Sequence, residues 1–222
     1  MARREDREKA IRLRKKEMSY SQIKEALGIS KSTLHYWLKD YPLSKKRIRE
    51  LQGDSERRIE NFRETMRKKR ESRLLSFYEE QKKIIFPMSK RDLFIAGLFL
   101  YLGEGTKTTA STVSVSNTNP SVLLLFIQWL VKCFDVPHDK IKARLHLYKD
   151  MNVYRETLYW SRILDVPAYR FNKPYVKSSR TTDITYHREF THGTCNVIFE
   201  NARILERILM SLKAIFDHYT RM

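Results

Sequence analysis

The stretch that decides the fold of the N-terminal part is residues 19–38, which read SYSQIKEALGISKSTLHYWL. Ser19 is suited to cap a helix that runs through Leu27, and Ser30 is suited to cap another that Pro42 ends. Between them, Gly28 is the residue type that enters a left-handed turn without steric cost. The spacing therefore predicts two short helices joined by a tight turn. Their apolar faces comprise Ile23, Ala26, Leu27, Leu34, Trp37 and Leu38.

A further helix is predicted just before this pair, over residues 7–17, where Ala10, Ile11 and Leu13 lie among charged residues. Residues 21–38 resemble the helix-turn-helix of resolvases, transposases and many repressors, in which a scaffold helix, a glycine turn and a recognition helix recur in this order. The resemblance implies a DNA-binding domain over residues 1–43. A generic three-helix core with solvated charges is the alternative.

The third helix carries the candidate DNA contacts of this domain. Its exposed side offers donors and acceptors of a length suited to base edges and phosphates. The candidate residues are Lys31, Ser32, Thr33, His35, Tyr36 and Lys39.

Charge and composition point to a polyanionic partner. The 222 residues contain 44 Lys and Arg against 26 Asp and Glu, a formal net charge of +18, while 41% are hydrophobic. That hydrophobic share excludes a disordered basic tail, and six Gly with six Pro exclude a low-complexity or collagen-like chain. Such an excess in a folding sequence favours nucleic acid over an anionic membrane or an acidic protein, because Lys and Arg that neutralise phosphates release counterions.

Cysteine usage and hydropathy bear on the compartment. Cys133 and Cys195 cannot form a disulfide framework, and neither has the close neighbours of a zinc site. The N-terminal residues have no apolar stretch typical of a signal peptide. The longest apolar runs, residues 93–102 and 122–131, are shorter than the roughly 20 residues that cross a bilayer. We therefore predict a cytoplasmic protein with no membrane partner.

The sequence of residues 44–88 predicts a helical connector between the two domains. The segment is rich in charge and has few breakers, of which Gly53 is the weak point. The basic run at residues 67–70 is typical of a solvated face, and a DNA-contacting stripe is the alternative. Apolar residues at intervals of three to eight make pairing with another helix plausible. They are Ile48, Leu51, Ile59, Phe62, Met66 and Leu74.

Residues 89–222 predict a second domain of mixed α+β class with an antiparallel sheet. The predicted helices are residues 92–102, 122–134, 153–164 and 202–218, and the predicted strands are residues 112–116, 141–148 and 193–199.

Residues 95–105 read IAGLFLYLGEG. From this segment onward, the second domain resembles the LAGLIDADG homing endonucleases and the regulators descended from them. The resemblance implies that the motif helix ends on an acidic residue, Glu104, which holds Mg²⁺ against the scissile phosphate, with Lys107 as a phosphate or water-positioning contact. It further implies that two such helices pack together through small residues. One motif per chain implies a homodimer. The implied interface residues are Ala96, Gly97, Leu100 and Gly103.

The chemistry of phosphodiester cleavage agrees with a carboxylate at this place. Cleavage needs a nucleophilic water and neutralisation of the charge that builds on the phosphate, and hard oxygen ligands holding Mg²⁺ supply both. The alternatives for Glu104 are a surface turn residue and an ion-pair partner of Lys107.

Further candidate phosphate contacts lie in the second domain. One face of the strand at residues 141–148 carries Lys142, Arg144, His146 and Tyr148, with an ordinary solvated face as the alternative. A basic, hydroxyl-rich loop is a further candidate phosphate contact, and it comprises Tyr175, Lys177, Ser178, Ser179 and Arg180. His187 and His192 bracket Glu189 with spacing poor for a metal site, and Asp183 precedes them, so a surface loop is favoured there.

These patterns predict a sequence-specific double-stranded DNA-binding protein that acts as a homodimer. The LAGLIDADG resemblance makes a Mg²⁺-dependent, site-specific endonuclease of the homing type the first hypothesis. A transcriptional regulator that keeps the fold without cleaving is the alternative, and a helical scaffolding protein is a third.

Overall fold

The computed structural model describes residues 2–51, 54–109, 111–179 and 192–220. These residues divide into two units, Met1–Pro87 and Met88–Met222. The division of the first unit into a domain of residues 1–43 and a connector of residues 44–88 stays a prediction.

The first unit begins with the three helices α1 (Ala2–Lys15), α2 (Tyr20–Leu27) and α3 (Lys31–Leu38). Ser19 and Gln22 form a reciprocal capping box at the start of α2, and the Ser30 hydroxyl accepts a hydrogen bond from the Thr33 N–H at the start of α3. Gly28 has φ +67°, the left-handed conformation predicted for the turn. The predicted caps and turn are therefore confirmed, because each depends only on neighbours within a few residues.

The three helices share a small apolar core. Its fully buried members are Ala10, Tyr20, Ile23, Leu34 and Leu38, with Leu27 and Trp37 packed against them. Ala26, predicted on the apolar face, is exposed. The prediction is wrong at this position because an eight-residue helix presents only a narrow buried stripe to its two neighbours.

Two helices follow in the same unit, α4 (Lys45–Glu50) and α5 (Asp54–Ile85). Gly53, the predicted weak point, lies outside the described residues. Near its beginning α5 is fastened to the three-helix core by Glu60, whose carboxylate accepts two hydrogen bonds from the Arg14 guanidinium at 3.0 and 3.3 Å. Both side chains are buried. The guanidinium carbons of Arg14 and Arg63 lie 4.4 and 3.8 Å from the centroid of the Tyr20 ring.

The second unit has four helices and four strands among its described residues. In chain order they are α6 (Lys90–Glu104), β1 (Thr112–Asn117), α7 (Pro120–Phe134), β2 (Lys142–Tyr148), α8 (Val153–Leu164), β3 (Phe171–Lys177), β4 (Thr194–Glu200) and α9 (Ala202–Thr220). The α+β class is confirmed.

The four strands form one sheet in the order β1-β4-β2-β3. β4 pairs antiparallel with β1 and with β2, whereas β2 and β3 are parallel. The sheet is therefore mixed. The prediction of an antiparallel sheet is wrong for the pair β2 and β3. The chain passes through α8 between β2 and β3, and a helical crossover of this kind returns the second strand in the same direction.

The core of the second unit lies between the inner sheet face and the helices. Trp129 of α7 is fully buried, and its indole N–H donates to the Phe94 carbonyl of α6 at 3.1 Å. The ring meets Phe134 edge to face at 5.0 Å. Gly97 lies directly against this indole, so close that an added Cβ would be 2.1 Å from the Trp129 ring. Glycine at residue 97 thus sets how closely α6 approaches α7.

Candidate nucleic-acid interface

The outward side of α3 is polar and fixed in place. Leu34 and Leu38 anchor the opposite side in the core. Tyr36 is 72% exposed, and the Lys39 ammonium lies 5.8 Å from its ring. Because the helix is capped at its start and packed along its inner side, these side chains project from a rigid base.

The remaining candidates on α3 divide between the cap and one flank. The Thr33 hydroxyl is half-buried and contacts the Ser30 hydroxyl at 2.8 Å, which in turn contacts the Ser32 hydroxyl at 2.9 Å. His35 lies on the flank beside Tyr20, with ring centroids 6.5 Å apart. Partial burial, together with the Arg63 charge, lowers the pKa of His35 below its usual value. A neutral imidazole at pH 7 follows, which both donates and accepts hydrogen bonds.

Glu104 is exposed at the end of α6. Its carboxylate accepts one hydrogen bond, from the Asn117 amide at 3.3 Å. The Lys107 ammonium donates to the Gly105 carbonyl at 3.1 Å, and it makes no ion pair with Glu104. The ion-pair alternative for Glu104 is therefore wrong, because the Lys107 side chain binds a backbone carbonyl of its own turn.

The turn after α6 is held on both sides. The Tyr101 hydroxyl donates to the Thr106 carbonyl, and the Thr106 N–H donates to the Ser114 carbonyl of β1 at 2.9 Å. Burial raises the pKa of Tyr101 to about 12, so the hydroxyl keeps its proton at every physiological pH. These bonds fix the position of the Glu104 backbone relative to the sheet.

The outer side of α6 is apolar and exposed. Ile95 is 36% exposed and Phe99 is 47% exposed, with Ala96 and Leu100 half-buried beside them. Gly103 continues the same side, and no atom lies within 4 Å of the place where its Cβ would be. Gly97, predicted with these residues at the dimer interface, instead faces inward against Trp129. The sequence could not separate the two glycines, because both fit close helix packing.

The outer face of the sheet brings together polar residues from three strands. In β2, Ala143, Leu145 and Leu147 are buried, whereas Arg144 is exposed and Lys142, His146 and Tyr148 are half-buried. Tyr175 and Lys177, predicted in a loop, lie in β3, and the parallel register places Tyr175 beside His146 and Lys177 beside Tyr148. The antiparallel register places Asn196 of β4 beside Arg144. Sequence analysis missed Asn196, since only strand pairing brings it to this face.

Two interactions modify the charge of this face. Lys142 forms an ion pair with Glu200 at 2.9 Å, so its positive charge is largely compensated. Burial lowers the pKa of His146, and the nearby Lys177 and Arg144 charges lower it further. The cationic groups that remain most available are Arg144 and Lys177, which lie on adjacent strands.

Comparison with known proteins bears on the first unit. Residues 1–48 match the homeodomain-like domain family. The matched region contains α1, α2 and α3, the helices that carry the capped turn and the polar outer side. Residues 1–48 therefore contain a helix-turn-helix domain, and this domain supports sequence-specific DNA binding. No curated protein and no solved structure matches the chain.

Several candidate site residues predicted from the sequence lie in a part of the chain that the structure does not describe. Arg180, Asp183, His187 and Glu189 lie outside the described residues. His192 is described, and it is held against α8. Its Nδ1 lies 2.7 Å from the buried Glu156 carboxylate, and its ring stacks on Tyr159 at 3.5 Å.

The part of the chain that the structure describes contains neither a metal-binding cluster nor a membrane-spanning helix. Within it, no three or more His, Cys, Asp or Glu side chains gather where they could hold a metal ion. Nor does any described helix combine the length and apolar character needed to span a membrane.

Proposed function

We propose that this protein binds specific double-stranded DNA sequences as a homodimer, with α3 reading base edges in the major groove. The observation that carries the proposal is the polar, rigidly mounted outer side of α3 within a region that matches a homeodomain-like domain. The candidate base and phosphate contacts are the α3 residues predicted from the sequence. Arg144, His146 and Lys177 of the second unit are proposed to contact phosphates.

The exposed side of α6 supports the homodimer. Ile95 and Phe99 form an apolar strip that is flanked by the small residues Ala96 and Gly103. Small residues allow the backbones of two helices to approach closely, and a twofold axis lets one strip meet its own copy. A symmetric dimer then requires two equivalent half-sites on the DNA.

The first prediction tests this interface. Phe99→Glu places a charge in the middle of the strip, where dimerisation would bury it unpaired. Burial of an unpaired charge costs roughly 3 kcal/mol. We therefore expect the dimer dissociation constant to rise at least about 100-fold. Analytical ultracentrifugation of the full chain measures the constant. Leu158→Glu on α8 is the matched control, because Leu158 is comparably exposed at 44%.

Selection from a random duplex library gives the second readout of the same experiment. The wild-type protein is expected to select two symmetric half-sites, and Phe99→Glu to select one. A wild-type protein that sediments as a monomer at micromolar concentration, with and without the selected DNA, contradicts the homodimer. Failure to enrich any sequence contradicts base reading by α3.

A second candidate function is site-specific DNA cleavage by a LAGLIDADG-like second unit. The observation that favours it is the exposed Glu104 carboxylate, which Lys107 does not neutralise and which lies at the end of the proposed dimer helix. One chain alone does not fit a Mg²⁺ site, because its described residues gather no sufficient ligand set. The proposed site takes one Glu104 from each of two chains. When bound there, Mg²⁺ would supply charge neutralisation and water activation.

Cleavage of the selected DNA is the second prediction. If the protein is an endonuclease, a duplex that carries the selected site is cut with Mg²⁺ and not with chelator, and Glu104→Gln lowers the cleavage rate at least 100-fold, because the amide carries no charge to hold the ion. Glu206→Gln, at an exposed position of α9, is the control. Tight, footprinted binding without breaks identifies a regulator that does not cleave.

A further inference from the structure

Helix α5 and the recognition helix α3 form the two walls of one groove. The groove has a volume of about 1030 Å³. Its α3 wall includes Lys31, Ser32 and Lys39, which are candidate DNA contacts, and its α5 wall includes Lys69, Arg70 and Arg73. Lys69 and Arg70 belong to the basic run for which the sequence left a solvated face and a DNA-contacting stripe as alternatives, and both residues lie in the same groove as the candidate DNA contacts of α3.

The α5 wall carries a strong excess of positive charge. Residues 57–73 contain eight basic and three acidic side chains. Each acidic side chain is already paired, since Glu60 binds Arg14, and Glu64 and Glu71 both bind Arg67. Lys69, Arg70 and Arg73 have no ion pair with any described residue. Three uncompensated cations thus face the groove within about one helical turn.

The position of this charge relative to α3 is fixed by the packing of the first unit. The buried pair between Arg14 and Glu60 joins α1 to α5, and the Arg63 guanidinium lies 3.8 Å from the ring of Tyr20 on α2. The apolar part of the groove, with Ile59, Phe62 and Met66 near Leu38 and Leu43, extends this contact. The α5 cations consequently do not depend on a flexible linker for their placement.

We propose that this groove holds one phosphodiester strand of the duplex that α3 reads, and that Lys69, Arg70 and Arg73 neutralise its phosphates. When a recognition helix occupies the major groove, the sugar-phosphate strands run along its two flanks. α5 lies on one flank and supplies the charge that phosphates require. The inference rests on DNA binding by α3 and adds a second, sequence-independent contact to it.

An acidic amphipathic helix of a protein partner is the other class of occupant that such a groove fits. DNA is favoured because Lys31, Ser32 and Lys39 line the groove and also belong to the DNA-reading helix. A protein helix in the groove would compete for these side chains whenever DNA is bound.

The third prediction compares two double variants of α5. Arg70→Ala/Arg73→Ala removes two charges inside the groove. Lys82→Ala/Lys83→Ala removes two from the same exposed helix, at positions that lie outside the groove. Binding of the full-length protein to a 30-base-pair random-sequence duplex and to its selected duplex is measured from 50 to 300 mM salt.

For the groove variant we expect the slope of log K against log salt to become less steep by about 1.8, because each phosphate contact contributes about 0.9. The affinity for both duplexes should fall equally, on the order of ten-fold or more at 0.1 M salt, so the preference for the selected site is unchanged. The control variant should keep the wild-type slope. Unchanged circular dichroism melting shows that the variants fold, since all four side chains are exposed.

Tyr36→Ala separates this inference from the function it rests on. Loss of the selected-site preference in that variant, with the slope preserved, supports base reading by α3. If the groove variant keeps the wild-type slope, the inference is overturned while base reading stands. If an acidic amphipathic peptide binds the wild-type protein but not the groove variant, and DNA binding is equal in both, the groove is a protein docking site and the inference is likewise overturned.

Discussion

Arg14→Ala is expected to lower the free energy of unfolding of the N-terminal unit by about 3–5 kcal/mol, because it leaves the Glu60 carboxylate buried without a counter-charge. Arg14 is 3% exposed and Glu60 is 6% exposed, so water cannot take the place of the lost guanidinium. The change also removes hydrogen bonds from Arg14 to the carbonyls of Tyr41 and Met18, at 2.8 and 3.1 Å. Together these contacts hold α1, the segment after α3, and α5 in one unit.

Amide hydrogen exchange of α1, α2 and α3 in the full chain measures this loss, because it reports on the first unit separately from the second. Glu64→Gln is the matched control. It breaks a pair of similar length, 2.9 Å, between a half-buried Glu64 and an exposed Arg67, and a solvent-accessible pair of this kind contributes less than about 1 kcal/mol.

The double variant Arg14→Met/Glu60→Leu completes the test. Replacing both charges with apolar side chains removes the desolvation cost as well as the attraction, so most of the lost stability should return. A single-variant loss no larger than that of Glu64→Gln would show that the pair does not join α5 to the core.

Gly97→Ala is expected to destabilise the second unit by about 2 kcal/mol. The added methyl group would lie 2.1 Å from the Trp129 ring, and this ring cannot move aside easily because it is hydrogen-bonded to Phe94 and packed against Phe134. Overpacking of a close-packed core costs about 1–3 kcal/mol. The higher helix propensity of alanine offsets less than about 1 kcal/mol of this.

Thermal unfolding of the full chain, with hydrogen exchange of α6 and α7 to locate the change, measures the effect. Gly103→Ala is the control on the same helix. No atom lies near its new methyl group, so monomer stability should stay the same or rise slightly. Because Gly103 lies on the proposed dimer side, this variant should weaken dimerisation without unfolding the monomer. Equal destabilisation by both substitutions would contradict the inward placement of Gly97.

Much of the first unit could be predicted because its determinants are local. Ser19, Gln22 and Ser30 satisfy backbone groups three residues away, and Gly28 adopts the left-handed turn by itself. Helix boundaries, the turn and the polar side of α3 follow from such short-range rules. The side of a short helix that becomes buried does not, as the exposed Ala26 shows.

In the candidate site, patterns in the sequence predicted contacts at Glu104, Arg144, His146 and Lys177, but they did not predict which residues lie beside them. Strand periodicity separates the two faces of β2, so the outward position of Arg144 is visible in the sequence. The residues beside it are set by pairing between strands distant in the chain. Asn196 of β4 and Tyr175 of β3 joined this face only through the register of a mixed sheet.

The sequence by itself determined the helix-turn-helix, the strongly basic character and the α+β class, because caps, turns, charge and hydrophobic periodicity act over a few residues or over the chain as a whole. The tertiary structure decided the parallel pairing of β2 with β3, the inward packing of Gly97, and the docking of α5 beside α3. Each of these depends on side chains tens of residues apart, such as Arg14 and Glu60, whose meeting is decided by the packing of the whole unit and not by any local pattern.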